Sequence, residues 1–363
     1  MKIRNLSLIN YRNYEKLNIE LSSGVNVFQG ANAQGKTNIL EAIYYCGFGK
    51  SHRTNKVKDI IMWDKEYSII KLYIEMERID RQIEISLLSD GKKGMTINKI
   101  RLLKIGDLLG VLNIVMFSPE DLRIVKESPG VRRRFLDMEI SQIDKRYYNS
   151  LVDYNKVLSQ RNITLKKKNP DEDIISVYDE QLSEFGEYII QQRLNYIELI
   201  NFYGKEIHKK ITMGKESVEF IYKSTCDYKA PIKESILNDL RKSRKRDIGT
   251  GYTSVGPHRD DFLININDAD AKDFGSQGQQ RTVVLTMKFA SLEIIKKIKG
   301  EYPILLLDDV LSELDINRQK FVLKSIEGIQ TFITLTGYKD VKKFLQGNYK
   351  LFTVTDGNIK VEE

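Results

Sequence analysis

The sequence predicts an α/β protein in which β-rich segments at both ends of the chain bracket a helical middle. Apolar and polar residues alternate over positions 17–28, 68–88 and 261–266, and this period of two is typical of strands. Between about 130 and 213 the apolar residues recur instead at helical spacing. The simplest arrangement is one discontinuous domain with a helical lobe inserted into it.

The composition is that of a folded protein without a membrane span. The 363 residues are 41% hydrophobic, which is sufficient for a large core and excludes a disordered chain. No apolar run approaches the roughly 20 residues that cross a bilayer, and charges interrupt the N-terminal segment, so we expect no membrane partner and no export. Cys46 and Cys226 form no metal or disulfide pattern, which favours a reducing, cytoplasmic location.

The first third of the chain alternates strands with one helix. Strands at 17–21 and 25–28 precede a helix over Lys36–Tyr45. Two further strands occupy 68–88, and the short apolar run Leu112–Phe117 indicates a buried strand.

The helical period begins after this run. Ser118 to Asp121 is typical of a helix start, with Ser as N-cap and acids near the positive helix end. The polar run 166–171 breaks the pattern and predicts an αα-hairpin. Its second helix, about 173–211, would reach on the order of 55–60 Å at 1.5 Å per residue. A strand at 216–222 and a helix at 232–244 follow.

The changes of period set the predicted domain limits. Residues 1–116 and 252–363 form the discontinuous domain, because both carry strand-like sequence. Residues 117–251 form the inserted helical lobe.

A glycine-rich loop between a predicted strand and the helix at Lys36–Tyr45 matches the pattern G-x-x-x-x-G-K-[ST]. It comprises Gly30, Ala31, Asn32, Ala33, Gln34, Gly35, Lys36 and Thr37. In this context the backbone N–H groups and the helix N-terminus cradle phosphates, while the Lys36 ammonium binds the β- and γ-phosphates and the Thr37 hydroxyl ligates Mg²⁺. The loop predicts a site for ATP and Mg²⁺; a chance glycine turn is the alternative.

The second half of such a site is an acid at a strand end. The apolar run Ile304–Leu307 leads directly into Asp308 and Asp309. Asp308 can hold Mg²⁺, and Asp309 can orient or deprotonate the attacking water. We therefore expect Lys36, Asp308 and Asp309 to carry the catalysis, although a strand followed by a solvated turn is the alternative.

A further motif narrows the class of ATPase. The segment Ser276–Arg281 opens the helix before the acidic strand and resembles the signature motif of ABC-type ATPases. Its Ser276 hydroxyl, Gly278 and helix N-terminus suit a γ-phosphate, whereas an ordinary Ser-capped helix is the alternative. Ser312–Asp315 resembles the D-loop of the same class. In that class the signature of one subunit meets the phosphate loop of the other, so the resemblance implies a homodimer that encloses ATP.

Within this class the sequence resembles the RecF family of bacterial recombination mediators. The blocks that carry the resemblance fall in order along nearly the whole chain: Asn10–Tyr14, Gly30–Ile43, Ser118–Leu122, Arg132–Asp137, Gly256–Asp261 and Leu305–Asp315. The resemblance implies an ABC-type P-loop ATPase head of mixed sheets and helices, similar to SMC heads, with a short helical lobe in place of a long coiled coil.

The family resemblance also implies function and partners. It implies an ATP-driven homodimer that acts as a clamp on duplex DNA at single-strand gap junctions, with slow, DNA-stimulated ATP hydrolysis. Such a protein helps RecO and RecR to load RecA during gap repair and replication restart.

The resemblance completes the expected nucleotide site. Its further members would be Arg12, Asn13, Asn38, Ser276, Gly278 and Gln279. Glu120 would fill the Q-loop role, although the helix start explains this acid without a ligand.

Two departures from the wider ABC pattern predict slow turnover. Asp309 stands where Glu is usual, so its carboxylate reaches one methylene less far. No switch histidine follows the predicted strand at 332–336, which ends in Thr. Of the three histidines, His258 lies nearest a motif, and we favour a structural role for it.

Basic residues favour a polyanion partner without identifying it. The net charge is +8, and residues 1–116 carry 18 basic against 12 acidic side chains. Basic clusters at 132–134, 166–168 and 241–246, and the basic residues within 50–58, could contact phosphates or form solvated faces. No stacking motif accompanies them, so we expect contact with the duplex backbone.

Two other functions share the ATPase motifs. A transporter ATPase subunit would use its helical lobe to dock a membrane partner. An SMC-like structural ATPase would need arms far longer than residues 130–250 can form.

Overall fold

The computed structural model describes residues 1–76, 79–337 and 348–362. Two compact units divide the chain: Met1–Asp121 with Ile295–Glu363, and Leu122–Ile294. Residues 252–294 lie in the second unit, whereas the sequence placed them in the discontinuous domain. The reason is strand pairing, because the strand at Asp261–Ile266 pairs with the strand at Val218–Lys223 of the lobe.

In chain order, the strands are β1 (Lys2–Tyr11), β2 (Tyr14–Glu20), β3 (Val25–Gln29), β4 (Tyr67–Glu75), β5 (Arg81–Leu88), β6 (Lys93–Ile97), β7 (Ile100–Arg101), β8 (Ile114–Phe117), β9 (Val218–Lys223), β10 (Asp261–Ile266), β11 (Ala269–Asp270), β12 (Ile304–Asp308), β13 (Thr331–Leu335), β14 (Tyr349–Thr355) and β15 (Asn358–Glu362).

The α-helices are α1 (Lys36–Phe48), α2 (Arg123–Lys126), α3 (Pro129–Ile143), α4 (Lys145–Leu165), α5 (Glu172–Thr212), α6 (Ile232–Thr250), α7 (Gln277–Lys299) and α8 (Ile316–Ser325). Short 3-10 helices occupy Val57–Asp59, Ile105–Asp107, Pro119–Leu122 and Leu311–Glu313. No described helix is both long enough and apolar enough to cross a membrane.

The largely parallel sheet of the first unit has the order β15-β14-β3-β13-β12-β8. Its strands β14, β3, β13, β12 and β8 run parallel, and β15 returns antiparallel to β14. Strands β12 and β13 are buried at every position, and both are mostly apolar, as is usual for interior strands of a parallel sheet. Since β13 lies between β3 and β12, the chain segments that follow β3 and β12 meet at one sheet edge.

An antiparallel sheet in the order β2-β1-β4-β5-β6-β7 completes the first unit. Helix α1 packs against β4 and β5 of this sheet and against β8, β12 and β13 of the parallel sheet. Enclosure between two sheets explains why α1 is apolar on nearly all faces and why it buries even Lys36 and Glu41.

The second unit is a helical lobe around a small sheet in the order β11-β10-β9. The predicted αα-hairpin is confirmed: α4 ends at Leu165 and α5 begins at Glu172. The Asp171 carboxylate accepts hydrogen bonds from the Asp173 and Ile174 N–H groups and thereby caps α5. At 41 residues and 1.5 Å per residue, α5 spans about 60 Å.

A buried ionic cluster joins the helices of the lobe. Arg161, whose side chain is fully buried, donates to Asp179 at 2.7 Å and to Asp247 at 2.9 Å. Arg244 donates to the second oxygen of Asp179 at 2.7 Å. The cluster therefore links α4, α5 and α6, and its guanidinium groups supply the partners that buried carboxylates need.

Replacing Arg161 by Met should reduce the free energy of unfolding by about 3–5 kcal/mol, because the Asp247 carboxylate loses its buried cation. The matched control is Arg241→Met, since Arg241 forms an exposed pair with Glu180 at 3.1 Å. The control should lose about 0–1 kcal/mol. Chemical denaturation of both variants measures the difference, and equal losses would contradict the role given to the cluster.

Candidate nucleotide site

The phosphate loop between β3 and α1 depends on glycine at both ends. Gly30 has φ 155° and Gly35 has φ 114°, and Ala33 adopts φ 65° between them. A methyl group on Gly30 would overlap the Val354 carbonyl oxygen, and one on Gly35 would lie 2.6 Å from the Asn13 side-chain nitrogen. The two glycines thus permit a backbone path that larger residues would obstruct.

Lys36 holds its ammonium group against the inner side of this loop. Its Nζ donates to the Gly30 carbonyl at 2.6 Å and to the Ala31 carbonyl at 2.8 Å. Burial lowers the pKa of Lys36, and the carboxylates of Asp309 and Asp308 oppose that shift. The charge therefore stands where an incoming phosphate would meet it.

The two halves of the predicted site meet through Thr37 and Asp308. The Thr37 hydroxyl donates to Asp308 Oδ1 at 2.8 Å, and the Thr334 hydroxyl donates to the same oxygen at 2.8 Å. Thr334 lies on β13, between the strands that lead to the other two residues. Asp308, at the end of β12, is buried, so its orientation depends on these two hydroxyl groups.

Asp309 is held in a backbone conformation that non-glycine residues rarely adopt. Its φ is 53°, and its N–H donates to the Thr334 hydroxyl oxygen at 2.9 Å. The Ser312 hydroxyl donates to the Asp309 carbonyl at 2.7 Å and lies 3.2 Å from Asp309 Oδ1. Backbone strain held by surrounding contacts is common at functional sites.

The turn between β1 and β2 supports the loop from outside. Asn13 Nδ2 donates to the Gln34 carbonyl at 2.9 Å, and the Tyr14 hydroxyl donates to the Gly35 carbonyl at 3.1 Å. Asn38 Nδ2 donates to Asn13 Oδ1 at 2.9 Å. Asn13 and Asn38 therefore lie beside the phosphate loop, and their contact with the nucleotide stays a prediction.

Arg12 forms a bidentate ion pair with a buried acid of α1. Its Nε and Nη2 donate to the two oxygens of Glu41 at 2.9 and 2.7 Å, and the Ser51 hydroxyl also donates to Glu41. Burial acts to raise the pKa of Glu41, but hydrogen bonds from Arg12 and Ser51 and the charges of Arg12 and Arg53 outweigh it, so the pKa is lowered. Arg12 is thus positioned by Glu41, a residue that sequence reasoning did not select.

The predicted signature segment begins α7 in the second unit. The Ser276 hydroxyl accepts from the Gln279 N–H at 3.2 Å, and Gln279 Oε1 accepts from the Ser276 N–H at 2.9 Å, which is a reciprocal capping box. Gln279 also donates to Glu216 at 3.0 Å. The expected helix start is confirmed here, with Gly278 in its first turn.

The block at 256–261 is an internal connection of the lobe. Arg132 forms a bidentate pair with Asp261 at 2.6 and 2.8 Å, and Arg133 donates to the Asp260 carbonyl at 2.7 Å. The long-range pair of Arg132 with Asp261 forms because β10 packs against α3.

His258 is part of the same connection. Burial lowers its pKa to about 4, and Arg259, Arg133 and Arg161 contribute to that decrease against the opposing Thr253 carbonyl. The neutral ring lies 2.7 Å from the Tyr154 hydroxyl and 3.1 Å from the Thr253 carbonyl oxygen. Both ring nitrogens are thereby satisfied, which supports the structural interpretation.

The remaining predicted residues have local roles in their units. The Asp121 carboxylate accepts from the Ser118 N–H at 2.7 Å and closes the start of the 3-10 helix that contains Glu120. Asp315, in the segment that resembles a D-loop, caps α8 through the Asn317 and Arg318 N–H groups. Among the basic residues considered for phosphate contact, Arg244 donates a hydrogen bond to Asp179 within the lobe.

The donor set at Thr37 and Asp308 fits Mg²⁺. A hydroxyl and a carboxylate oxygen converge within 2.8 Å at the mouth of the phosphate loop. Hard oxygen ligands suit this ion, which commonly binds through one or two carboxylates together with substrate phosphates. Among the described residues no cluster of three or more His, Cys, Asp or Glu side chains offers another metal site.

The strand order and these side chains together define the ABC-type head of a P-loop ATPase. The sequence matches the family described as RecF/RecN/SMC N terminal domain over residues 2–360. The DNA replication and repair protein RecF of Clostridium perfringens is 59% identical over 360 residues, which cover 99% of this chain and 100% of the relative. RecF of Clostridium novyi is 57% identical over 359 residues, 99% of each chain.

Solved structures agree with this class. A structure described as the recombination mediator protein RecF-ATP in the RecFOR pathway is 38% identical, with a TM-score of 0.93 over 100% of this chain and 98% of that one. An Smc head domain from Pyrococcus furiosus has a TM-score of 0.59 at 20% identity, over 99% of this chain and 96% of that one, which shows a shared fold alone. The chain belongs to the RecF family.

The Thr334 hydroxyl should be required for Mg²⁺-dependent ATP binding, because it orients Asp308 and accepts from the Asp309 N–H. Thr334→Val removes the hydroxyl at nearly constant volume and should weaken binding about tenfold or more, the usual cost of losing a hydrogen bond to a charged group. Thr334→Ser retains the hydroxyl and should restore affinity. Titration with a fluorescent ATP analogue measures both, and equal affinity of the Val and Ser variants would contradict the assignment.

Proposed function

We propose that this protein is an ATP-dependent DNA-binding recombination mediator whose ATP-bound dimer acts as a clamp. The observation that carries the proposal is the hydrogen bond between Thr37 and Asp308, which brings the phosphate loop and the acidic strand end into one site. The similarity to proteins named DNA replication and repair protein RecF supports the DNA-directed role.

The chain's own residues account for ATP binding. The N–H groups at the start of α1 and in the loop face the phosphates, and Lys36 exchanges its contacts with the Gly30 and Ala31 carbonyls for the β- and γ-phosphate oxygens. Thr37 and Asp308 would hold Mg²⁺, which when bound supplies charge neutralisation at the phosphates. Asn13, Asn38 and Arg12 fix the loop and the first turns of α1 around the nucleotide.

Hydrolysis depends on Asp309. Its carboxylate would orient the attacking water or accept its proton, and the Ser312 contact at 3.2 Å restrains it. A carboxylate one methylene shorter than Glu, together with Thr336 in place of a switch histidine after β13, favours slow turnover that DNA would stimulate. Slow turnover is suited to a switch that times the lifetime of a clamp.

Dimerisation completes the proposed site. The signature helix start of one copy, with the Ser276 hydroxyl, Gly278 and Gln279, would meet the γ-phosphate held by the phosphate loop of the other copy. Because ATP lies between the copies, ATP binding drives association and hydrolysis permits release. ATP binding would then close the clamp on duplex DNA, and hydrolysis would open it.

The proposed partners are those that the family resemblance implies, RecO and RecR, with RecA loading as the outcome. Solved structures similar to this chain are described as the recombination mediator protein RecF in the RecFOR pathway, and that description supports the choice of RecO and RecR. We propose gap junctions in duplex DNA as the site of action. The basic excess of residues 1–116 supports contact with the phosphate backbone.

Lys36→Ala should abolish ATP binding and with it the ATP-dependent dimer, because the ammonium that meets the phosphates is removed. Analytical ultracentrifugation with ATP and duplex DNA measures the association. Lys92→Ala is the control, since Lys92 lies on an exposed turn beside Asp90. Persistence of the ATP-dependent dimer in the Lys36 variant would contradict the proposed site.

Asp309→Asn should lengthen the lifetime of the dimer on DNA, because the amide cannot accept the proton of the attacking water. Asp309→Glu, which retains the carboxylate, should keep hydrolysis. Dissociation from gapped DNA after excess competitor is added gives the lifetime. If the Asn variant leaves as quickly as the unaltered protein, Asp309 has no part in hydrolysis.

A further inference from the structure

The turn between β14 and β15 contacts the phosphate loop directly. The Asp356 N–H donates to Gln34 Oε1 at 2.6 Å, and the Gly357 N–H donates to the Gln34 carbonyl oxygen at 3.2 Å. The same carbonyl oxygen accepts from Asn13 Nδ2 at 2.9 Å. Gln34 is therefore held between a turn near the N-terminus and a turn near the C-terminus, although Asp356 lies 322 residues further along the chain.

Gly357 closes against the loop so tightly that only glycine fits. Its φ is +74°, and a methyl group on it would overlap the carbonyl oxygen of Asn13 and approach the Asn13 side-chain nitrogen at 3.4 Å. A larger residue would push the hairpin turn away from Asn13, and Gln34 would lose its hydrogen bonds to the turn. The close approach is thus specific to this one residue of the hairpin.

The first end of the loop rests on the same hairpin. Strand β14 pairs in parallel with β3, the strand that leads into the loop, and the Val354 carbonyl leaves no space for a side chain on Gly30. Gln29, the last residue of β3, donates to Thr353 at 2.9 Å and to Glu362 at 3.0 Å. The hairpin therefore contacts the loop at its beginning and again at Gln34.

We propose that the C-terminal hairpin β14–β15 is a positioning element of the phosphate loop, acting through Gln34 and Gly357. The inference rests on the proposed ATP binding by this loop. A loop with positive φ at Gly30, Ala33 and Gly35 is costly to order, and contacts made before the nucleotide arrives reduce the ordering cost of binding. Nucleotide affinity therefore depends on the last residues of the chain, although they contribute no phosphate ligand.

Gly357→Ala tests the proposal, and Gly328→Ala is its matched control. Gly328 has φ +77°, nearly the same backbone strain, but nothing lies within 4 Å of its added methyl group. In the full-length protein, binding of ATP and ADP should weaken about tenfold or more in the Gly357 variant relative to the Gly328 variant, because misplacement of the loop by about 1 Å has effects of this order or larger. Gly357→Ala should also unfold at a lower temperature because of the overlap with the Asn13 carbonyl oxygen, so the affinities are compared at a temperature at which both variants are folded.

A second measurement separates this proposal from the proposed ATP binding. Hydrogen exchange of the amides of residues 30–36 without nucleotide should be faster in Gly357→Ala than in Gly328→Ala. Gln34→Leu, which removes the side-chain acceptor without changing the hairpin, should show the same faster exchange if Gly357→Ala does not fold. Equal exchange and equal affinity in all variants would overturn the positioning role. A third outcome combines faster exchange in Gly357→Ala with no ATP binding by the wild-type protein. That outcome would refute the proposed ATP binding and leave the positioning role in place.

Discussion

The hydrogen bond between the Thr37 hydroxyl and Asp308 is the interaction on which the rest of the site depends. It joins the first residues of α1 to the end of β12 across the intervening strand β13, whose Thr334 donates to the same carboxylate oxygen. This contact requires the parallel order β3-β13-β12, and α1 is buried between that sheet and the antiparallel sheet. The strained backbone of Asp309 is a consequence, because its N–H bonds to Thr334. One polar contact thus relates sheet topology to the chemistry proposed for the site.

The helical lobe uses polar groups differently, as internal connections. Asp261 and Asp260 of the block at 256–261 bind Arg132 and Arg133 of α3, and His258 contacts Tyr154 of α4. Arg132 and Asp260 are buried, and their partners Asp261 and Arg133 are partly buried, so loss of one member would leave the other without its partner. The block carries the family resemblance, but its contacts within the lobe are structural. A sequence motif that identifies a family can therefore stabilise the inserted lobe without binding a ligand.

Sequence reasoning reached those features that neighbouring residues determine. The phosphate loop, the acidic strand end and the break between α4 and α5 were predicted because glycine spacing, apolar runs and helix caps are local signals. The role of Thr334, the pair of Arg12 with Glu41 and the contact of Gly357 with Asn13 were not predicted, since each joins residues far apart in the chain. Residues 252–294 lie in the helical lobe and not in the predicted discontinuous domain for the same reason, because β10 pairs with β9, which is distant in the sequence. Such contacts depend on the tertiary fold, which local sequence signals do not determine.

The central claim is that ATP binds between two copies, on the phosphate loop of one and the signature segment of the other. The most direct test mixes two variants, Lys36→Ala and Ser276→Arg, with a slowly hydrolysed ATP analogue and measures association by sedimentation. Each variant alone should remain monomeric, whereas the mixture should form a dimer, because one intact loop then faces one intact signature segment. Monomers in the mixture under conditions where the unaltered protein dimerises, or a dimer of either variant alone, would contradict the account.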